Sequence, residues 1–407
     1  MGTNYRSLKL LVPVLLVSAA CSTGAEPRAA ESTLPVASST TADPSVANTP
    51  ADAFPIAAFA EISEEPIADE MAAALQAALD DMADDSGMTA TVMSADGTWS
   101  GAAGTADGVR DMQIDDQFFV ASITKSVVAT QVMLMVEAGE LSLDDLATER
   151  LPADLDFDAN GATIRQLLNQ RSGIPDFFLR IWGNLAIDRL HQWTTAEVLD
   201  VAGDKRSPVG ESFEYADTNY VLLGMIIEQV RGRPIAEVLR SGALAVSGIE
   251  RLVYQPDELP TEPMAMPDGE STATLDLGGG YLPSIASATA GGSAAAIASD
   301  SPSLAHWWRA LCAGEIVSQA SLTEMSILNP TRDSVGTWAP SGGYGLGLYN
   351  VAYPYAHAVG HTGVDVGFAA WAACLPASGT VVVVLSNRIV DDVGGMARPL
   401  IEALSSV

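Results

Sequence analysis

The chain has 407 residues, 48% of them hydrophobic, which is enough to bury a large core in one domain or in two subdomains. Its 51 acidic and 20 basic residues give a formal net charge of −31. This charge disfavours nucleic acid and anionic lipid surfaces as partners, and a solvated acidic surface explains it more simply than a specific cationic ligand.

The N-terminal residues have the pattern of an export signal. Arg6 and Lys9 precede an apolar run over residues 10–20, which is too short to span a bilayer. The sequence Ser-Ala-Ala-Cys that ends at Cys21 resembles a bacterial lipobox, in which the cysteine is acylated and becomes the mature N-terminus. We therefore predict a lipoprotein-type signal peptide over residues 1–21 and a lipid anchor on the outer face of a bacterial membrane. Ordinary cleavage and secretion is the alternative.

The next stretch, residues 22–65, is rich in Ala, Ser, Thr and Pro and has scarcely any periodic apolar pattern. Such a composition cannot bury enough surface to order itself, so it predicts a disordered tether. The globular domain is then expected over residues 66–407, with membrane contact only through the N-terminal lipid.

Strand signals lie at both ends of this domain. Residues 90–94 and 98–101 flank an Asp-Gly turn, which is a strong hairpin signal. Three more strands are expected over residues 356–362, 368–375 and 380–386, followed by a closing helix over residues 391–404. The pattern predicts an α/β (α+β) fold: a five-stranded antiparallel sheet flanked by helices, with a mainly helical insertion over about residues 140–300 and the site in the cleft between them.

A hydroxyl and an amine stand three residues apart in the sequence Ser-Ile-Thr-Lys, residues 122–125, at the start of an apolar helix. Positions i and i+3 share one helix face, so Lys125 can lie beside the Ser122 hydroxyl. A serine at a helix start also lies where backbone N–H groups favour a developing oxyanion. This pattern indicates acyl transfer, although alone it also fits a helix cap with a solvated lysine.

Two further motifs follow in the chain: Tyr-Ala-Asp at residues 215–217 and His-Thr-Gly at residues 361–363. In this order and at these separations, the three motifs resemble the Ser-x-x-Lys, Tyr-x-Asn and Lys/His-Thr-Gly elements of the penicillin-recognising serine hydrolases. That superfamily includes class C β-lactamases, D-alanyl-D-alanine carboxypeptidases and related esterases. The similarity runs from about residue 68 to the end, and it includes residues 163–168, 172–175, 217–224 and 345–348.

The resemblance implies Ser122 as nucleophile, with Lys125 and Tyr215 as its proton-handling partners. A neutral Lys125 costs about 4.6 kcal/mol at pH 7 and a Tyr215 phenolate costs about 4, so the two form one coupled base. Tyr215 is preferred for returning a proton to the leaving group and for activating the deacylating water. The substrate-binding residues implied are Asp217, His361, Thr362, Gly363 and Val364, with the N–H groups of Ser122 and Val364 as candidate oxyanion donors.

Two of these residues depart from the usual pattern. Asp217 replaces asparagine. A carboxylate near Lys125 favours the ammonium form of that residue, so a Tyr215 phenolate becomes the expected base. Alternatively, Asp217 is protonated or turned away to cap a helix that begins near Asn219. His361 stands where many relatives carry lysine, and as an imidazolium it is expected to bind a substrate carboxylate.

Metal and disulfide chemistry can also be judged from the sequence. On a helix, His357 and His361 would share a zinc ion, but on a strand they lie about 13 Å apart, so we predict no metal and no cofactor. Besides Cys21, the chain holds Cys312 and Cys374, an even pair for an oxidising compartment. Geometry decides whether they form a disulfide, so the sequence leaves this possibility open.

The leading prediction is a cell-envelope serine hydrolase that forms an acyl-enzyme on Ser122, most like a D-alanyl-D-alanine carboxypeptidase. An esterase is ranked second and a β-lactamase third. The partners expected are therefore a small peptide, ester or β-lactam and no nucleic acid, with the protein a monomer. A non-catalytic envelope binding or sensor lipoprotein is the alternative of a different class.

Overall fold

The computed structural model describes residues 53–83, 86–267, 280–328, 343–352 and 357–406. The predicted signal peptide, the Cys21 lipid site and the predicted tether up to residue 52 lie outside these residues. Within the described ranges, no helix is both long enough and apolar enough to cross a membrane.

The strands are β1 (Met88–Ser94), β2 (Gly97–Ala103), β3 (Phe118–Phe119), β4 (Val253–Tyr254), β5 (Ile297–Ser299), β6 (Tyr349–Ala352), β7 (His357–Asp365), β8 (Phe368–Leu375) and β9 (Thr380–Ser386). The helices are α1 (Ile56–Ala60), α2 (Asp69–Ala83), α3 (Thr124–Glu137), α4 (Ala147–Arg150), α5 (Ile164–Leu168), α6 (Phe178–Ile187), α7 (Thr195–Ala202), α8 (Asp217–Arg231), α9 (Ile235–Arg240), α10 (Ile285–Ala295), α11 (Ser301–Cys312), α12 (Gln319–Met325) and α13 (Arg398–Leu404). A short 3₁₀ turn, Ala121–Ile123, precedes α3.

The main sheet contains the five predicted strands, which confirms the α/β fold class. Its order is β2-β1-β9-β8-β7-β6, and every pair is antiparallel. Both chain ends therefore contribute to one sheet, with β1 from the N-terminal part beside β9 from the C-terminal part. The short strand β6 adds a sixth, edge strand that the sequence pattern did not predict.

Apolar side chains fill both faces of this sheet. Along β9, Val381 and Val383 face one hydrophobic core, while Val382 and Val384 face the other. Helix α11 packs on one face and helices α2 and α13 lie on the other side. A continuous valine run is what a strand covered on both faces requires.

A disulfide joins the end of helix α11 to the main sheet. Cys312 at the last residue of that helix is bonded to Cys374 in β8. The pair that the sequence left open is thus bridged in this structure.

The inserted region is mainly helical, as predicted, with α4 to α10 between about residues 140 and 300. It also contributes β4 and β5 to a small second sheet of order β3-β5-β4, whose strands of two or three residues carry no recognisable sequence period. The predicted closing helix over residues 391–404 is shorter than expected. It begins only at Arg398, because the glycine pair at 394–395 disfavours a helix and Pro399 suits a first turn.

The predicted tether ends earlier than residue 65. Phe54 and Phe59 are buried and their rings stack 5.8 Å apart. The backbone N–H of Ser63 donates to the carbonyl of Ser94, and Thr98 Oγ1 donates to the carbonyl of Ser63. Residues 53–65 therefore belong to the folded domain, because Phe54 and Phe59 are buried in its hydrophobic core. The local sequence has no pattern that predicts this packing.

Candidate active site

Ser122 lies in the 3₁₀ turn between β3 and α3. The preceding residue, Ala121, has a φ of 47°, which is uncommon for a residue with a side chain. Thr124 stabilises this turn, since its hydroxyl donates to the carbonyl of Ala121 and accepts from the N–H of Ile297. Ser122 is half-buried, whereas Ala121 and Ile123 on either side are buried. The turn thus presents one hydroxyl at the surface of a packed core.

The amine of Lys125 is fully buried and has three polar neighbours. Its Nζ lies 2.9 Å from Ser122 Oγ and 2.9 Å from the carbonyl of Ala294, and it also contacts Asp217 Oδ1. All three neighbours can accept a hydrogen bond, and Nζ donates to Ser122 Oγ and to the Ala294 carbonyl. Burial lowers the pKa of Lys125, although Asp217 opposes this shift. The i, i+3 prediction of a Ser122–Lys125 contact matches this geometry.

Tyr215 completes the group around Ser122. Its ring centroid lies 5.0 Å from Lys125 Nζ, and the neighbouring Ser122 side chain acts to lower the pKa of the Tyr215 phenol. Burial, followed by Tyr349 and Asp217, raises the pKa of Tyr215 well above its ordinary value. The prediction that Tyr215 is favoured as a phenolate is therefore wrong for this structure, because a buried phenol beside a carboxylate keeps its proton.

Asp217 is the first residue of α8 and is buried. It contacts Lys125 and is not turned away to cap a later helix turn, so the capping alternative is not what the structure shows. Its backbone N–H donates to Asp176 Oδ1 over 2.9 Å. Asp176 was not among the predicted site residues.

His361 lies on β7 but differs from the expected imidazolium. Only 2% of the residue is exposed, and its Nδ1 lies 2.6 Å from the carbonyl of Thr362 while its Nε2 lies 3.2 Å from the Tyr344 hydroxyl. Burial and then the charge of Lys125 lower the pKa of His361 to about 3. The expected charged contact with a substrate carboxylate is therefore wrong, because the ring is neutral and both nitrogens already have partners.

Gly363 brings β7 against the nucleophile turn. A Cβ atom at this position would lie 2.1 Å from the carbonyl oxygen of Val120, two residues before Ser122. The family resemblance implied that this glycine binds substrate, whereas its close neighbour in the structure is the protein backbone. Thr362 is buried and Val364 is half-buried beside it.

The metal alternative finds no support in the geometry of β7. His357 and His361 both lie on this strand, as the sequence predicted. Across the described ranges, no group of three or more His, Cys, Asp or Glu side chains is arranged to hold a metal ion.

Sequence reasoning missed the residues that support the Tyr-Ala-Asp segment. Gln170 Oε1 accepts from the N–H of Ala216 over 3.0 Å and from Asn219 Nδ2 over 2.6 Å. Gln170 itself has a φ of 61°, a conformation that a buried glutamine adopts only when its surroundings hold it. The residues that resembled the family, 163–168 and 172–175, lie on either side of Gln170, but the resemblance did not say what Gln170 contacts.

This arrangement of fold and side chains can be compared with known proteins. A family model described as Beta-lactamase matches residues 72–404. The chain belongs to the beta-lactamase family. Membership supports hydrolase activity of the serine type and agrees with the family resemblance drawn from the three motifs.

Curated relatives of the chain include penicillin-binding proteins. The chain is 27% identical over 278 residues to a putative penicillin-binding protein, PbpX, of Bacillus subtilis, covering 66% of this chain and 62% of the relative. It is 33% identical over 147 residues to penicillin-binding protein 4 of Amycolatopsis lactamdurans, covering 35% of this chain and 38% of the relative. The chain therefore spans less than two thirds of the length of these relatives.

Solved structures extend the similarity over most of the chain. D-amino acid amidase from Ochrobactrum anthropi, in complex with L-phenylalanine amide, matches with a TM-score of 0.71 and 26% identity, covering 83% of this chain and 98% of that one. D-stereospecific amidohydrolase from Streptomyces matches with a TM-score of 0.67 and 26% identity, covering 81% and 97%.

Proposed function

We propose that this protein is a serine hydrolase that forms an acyl-enzyme on Ser122 and passes the acyl group to water. The observation that carries the proposal is the buried Lys125 amine 2.9 Å from Ser122 Oγ, with the ring centroid of Tyr215 5.0 Å from the same amine. Burial lowers the pKa of Lys125, so it is closer to a working base than a free lysine.

In the proposed reaction, Ser122 Oγ bonds to the substrate carbonyl carbon while its proton passes to Lys125. The N–H groups of Ser122 and Val364 are the proposed oxyanion donors. Collapse of the tetrahedral intermediate breaks the bond to the leaving group, which receives a proton from the Lys125–Tyr215 pair. Water then attacks the acyl carbon, loses its proton to the same pair, and releases the acid with Ser122 restored.

We propose an amide or ester without an essential carboxylate as the preferred substrate class. His361 is neutral and buried, so it offers no cation to the C-terminal carboxylate of a D-alanyl-D-alanine peptide or to the carboxylate of a penicillin. Similarity to a D-amino acid amidase supports the same ranking. The D-alanyl-D-alanine carboxypeptidase predicted from sequence remains the second candidate, supported by the penicillin-binding relatives.

Matched peptides test this ranking. One acetylated peptide ends in D-alanyl-D-alanine with a free carboxylate, the second carries a C-terminal carboxamide instead, and the third ends in the L-isomers. We expect hydrolysis of the carboxamide peptide to equal or exceed that of the carboxylate peptide, and Ser122→Ala to lose both. A strong preference for the free carboxylate would favour the carboxypeptidase. No turnover and no acylation by any substrate would favour the binding or sensor lipoprotein.

We also propose that the protein acts outside the cytoplasm as a lipid-anchored monomer. The signal-like residues before Cys21 and the Cys312–Cys374 disulfide support this location, since disulfides persist in oxidising compartments. Cys21→Ser should release the protein from membranes without loss of activity in solution. A wild-type protein that already fractionates as soluble would contradict the lipid anchor.

A further inference from the structure

The position of Lys125 depends on more than its three immediate neighbours. Of those neighbours, Ser122 is the proposed nucleophile and Ala294 supplies a backbone carbonyl. Asp217 Oδ1 is buried and contacts Lys125 Nζ as an acidic partner. A carboxylate at this place both orients the amine and favours its charged form.

The carboxyl group of Asp176 accepts a hydrogen bond from the backbone of Asp217. Asp176 Oδ1 accepts from the backbone N–H of Asp217 over 2.9 Å, and Asp176 Oδ2 accepts from the N–H of Leu179 over 3.3 Å. Beside this link, Thr218 Oγ1 donates to the carbonyl of Pro175 over 2.8 Å. The hydrogen bonds made by Asp217 and Thr218 thus connect the start of α8 to the segment that precedes α6.

We propose that Asp217 and Asp176 are positioning residues that hold Lys125 Nζ against Ser122 Oγ and set how tightly the amine keeps its proton. This inference rests on the proposed function, in which Lys125 is part of the base. The two residues are called the paired carboxylates below.

The charges around Lys125 explain why the paired carboxylates have this effect. Burial lowers the pKa of Lys125, while Asp217, and after it Asp176, raises the same pKa. Burial and the charge of Asp217 raise the pKa of Asp176 itself to about 6, so its ionisation lies close to neutral pH.

The aromatic neighbours of the amine supply no charge near pH 7. Tyr215 and Tyr220, whose rings face Lys125 Nζ, both have pKa values raised by burial. On β7, His361 has a pKa lowered to about 3, and burial raises the pKa of Asp365, which interacts with Asp217, to about 7. The groups that act directly to raise the pKa of Lys125 are the paired carboxylates.

The lysine content of the chain allows a direct test. The sequence contains three lysines, Lys9, Lys125 and Lys205, and Lys205 is exposed. Protein labelled with carbon-13 at the lysine ε carbon therefore gives few NMR signals, and titration of each reports the protonation of its own amine. The variants are Asp217→Asn and Asp176→Asn, with Asp154→Asn as a control that makes the same charge change at an exposed position.

We expect Asp217→Asn to lower the titration midpoint of Lys125 by about 1 to 2 pH units, because it removes an opposite charge in direct contact. Asp176→Asn should lower it by less, and neither should move Lys205. The acidic limb of kcat/KM for a neutral activated ester should move to lower pH in the same order. A change in fold alone would reduce kcat without moving this limb.

The inference is overturned if the Lys125 midpoint in both variants moves no further than in Asp154→Asn while the fold is intact. The NMR titration does not require turnover, so it separates this inference from the proposed function. Lys125 shifts without any acylation of Ser122 would support the paired carboxylates and reject the hydrolase. Acylation of Ser122 with an unchanged Lys125 midpoint would support the hydrolase and reject the role of the paired carboxylates.

Discussion

Ser122 Oγ lies 2.9 Å from Lys125 Nζ, and the Tyr215 ring lies beside the same amine, so two side chains are placed to handle one proton. Burial lowers the pKa of Lys125, which makes the amine easier to deprotonate, and the raised pKa of Tyr215 keeps that residue a phenol. Once deprotonated, the amine accepts the serine proton and the phenol relays a proton to the leaving group. The two side chains then work as one unit.

Removing either member of this unit should be costly, and removing both should add little. Lys125→Ala and Tyr215→Phe are each expected to lower kcat/KM by about 10² to 10⁴. The double variant should lose much less than the product of the two single losses. Lys205→Ala, an exposed lysine, is the control and should keep wild-type activity. Losses that multiply fully would show that Lys125 and Tyr215 act independently.

The neutral state of His361 makes a prediction about pH. Because its pKa is lowered to about 3, the ring carries no charge between pH 5 and about 8 and does not titrate there. The ratio of kcat/KM for the carboxylate and carboxamide peptides should therefore stay constant over this range. A selective loss of the carboxylate peptide as pH rises through about 6.5, which persists in Asp176→Asn and disappears in His361→Asn, would show a titrating histidine that binds the carboxylate.

At the scale of elements, strand β7 packs closely against the nucleophile turn. Gly363 lies directly against Val120, and the turn that follows contains Ala121 with its positive φ. The sheet therefore supports the unusual turn, and the position of Ser122 depends on the backbone of β7 as well as on α3.

Gly363→Ala should separate these elements. The added methyl group would lie 2.1 Å from a backbone oxygen, so the strand or the turn must move, and acylation of Ser122 should fall much more than the melting temperature. Gly183→Ala in α6 is the matched control, since nothing lies within 4 Å of a Cβ atom there. That control should be neutral or slightly stabilising because alanine favours a helix. Normal acylation of Gly363→Ala would contradict the proposed support.

Much of the fold could be predicted at this scale because the elements have strong local patterns. The valine run of β9 and the Asp-Gly hairpin between β1 and β2 indicate their strands without further information. Strands β3, β4 and β5 have only two or three residues, and their pairing depends on distant segments. No local period could indicate them.

The same distinction applies to the site. The Ser122–Lys125 contact follows from spacing within one turn of chain, so the sequence predicts it. The neutral state of His361 depends on burial beside Tyr344, and the place of Asp217 depends on Asp176 from a separate segment. These properties arise from tertiary packing, which is why the expectations of an imidazolium and a phenolate were wrong.

For the whole molecule, the disulfide fastens a helix to the centre of the sheet. Cys312 in α11 and Cys374 in β8 are 62 residues apart in the chain, so the bond links two distant segments of the C-terminal part. Such a bond stabilises a folded protein by about 2 to 4 kcal/mol. It lies in the packed layers and not among the residues that contact Ser122.

Reduction should therefore affect stability more than catalysis. A reducing agent that reaches the bond should lower the melting temperature by ~5 °C, with kcat at 25 °C changed little. The Cys312→Ala/Cys374→Ala variant is the control, and the same reagent should leave its melting temperature unchanged. Two free thiols by titration of the oxidised wild-type protein would contradict the bridge.

The most direct test of the central claim is the intact mass of the protein after reaction with a fluorophosphonate, followed by peptide mapping. Ser122 Oγ should displace fluoride and gain one phosphonyl group. The label should map to the peptide that contains Ser122, and Ser122→Ala should remain unlabelled with a wild-type melting curve. Label retained on the folded Ser122→Ala variant, or mapped to another residue, would contradict Ser122 as the nucleophile.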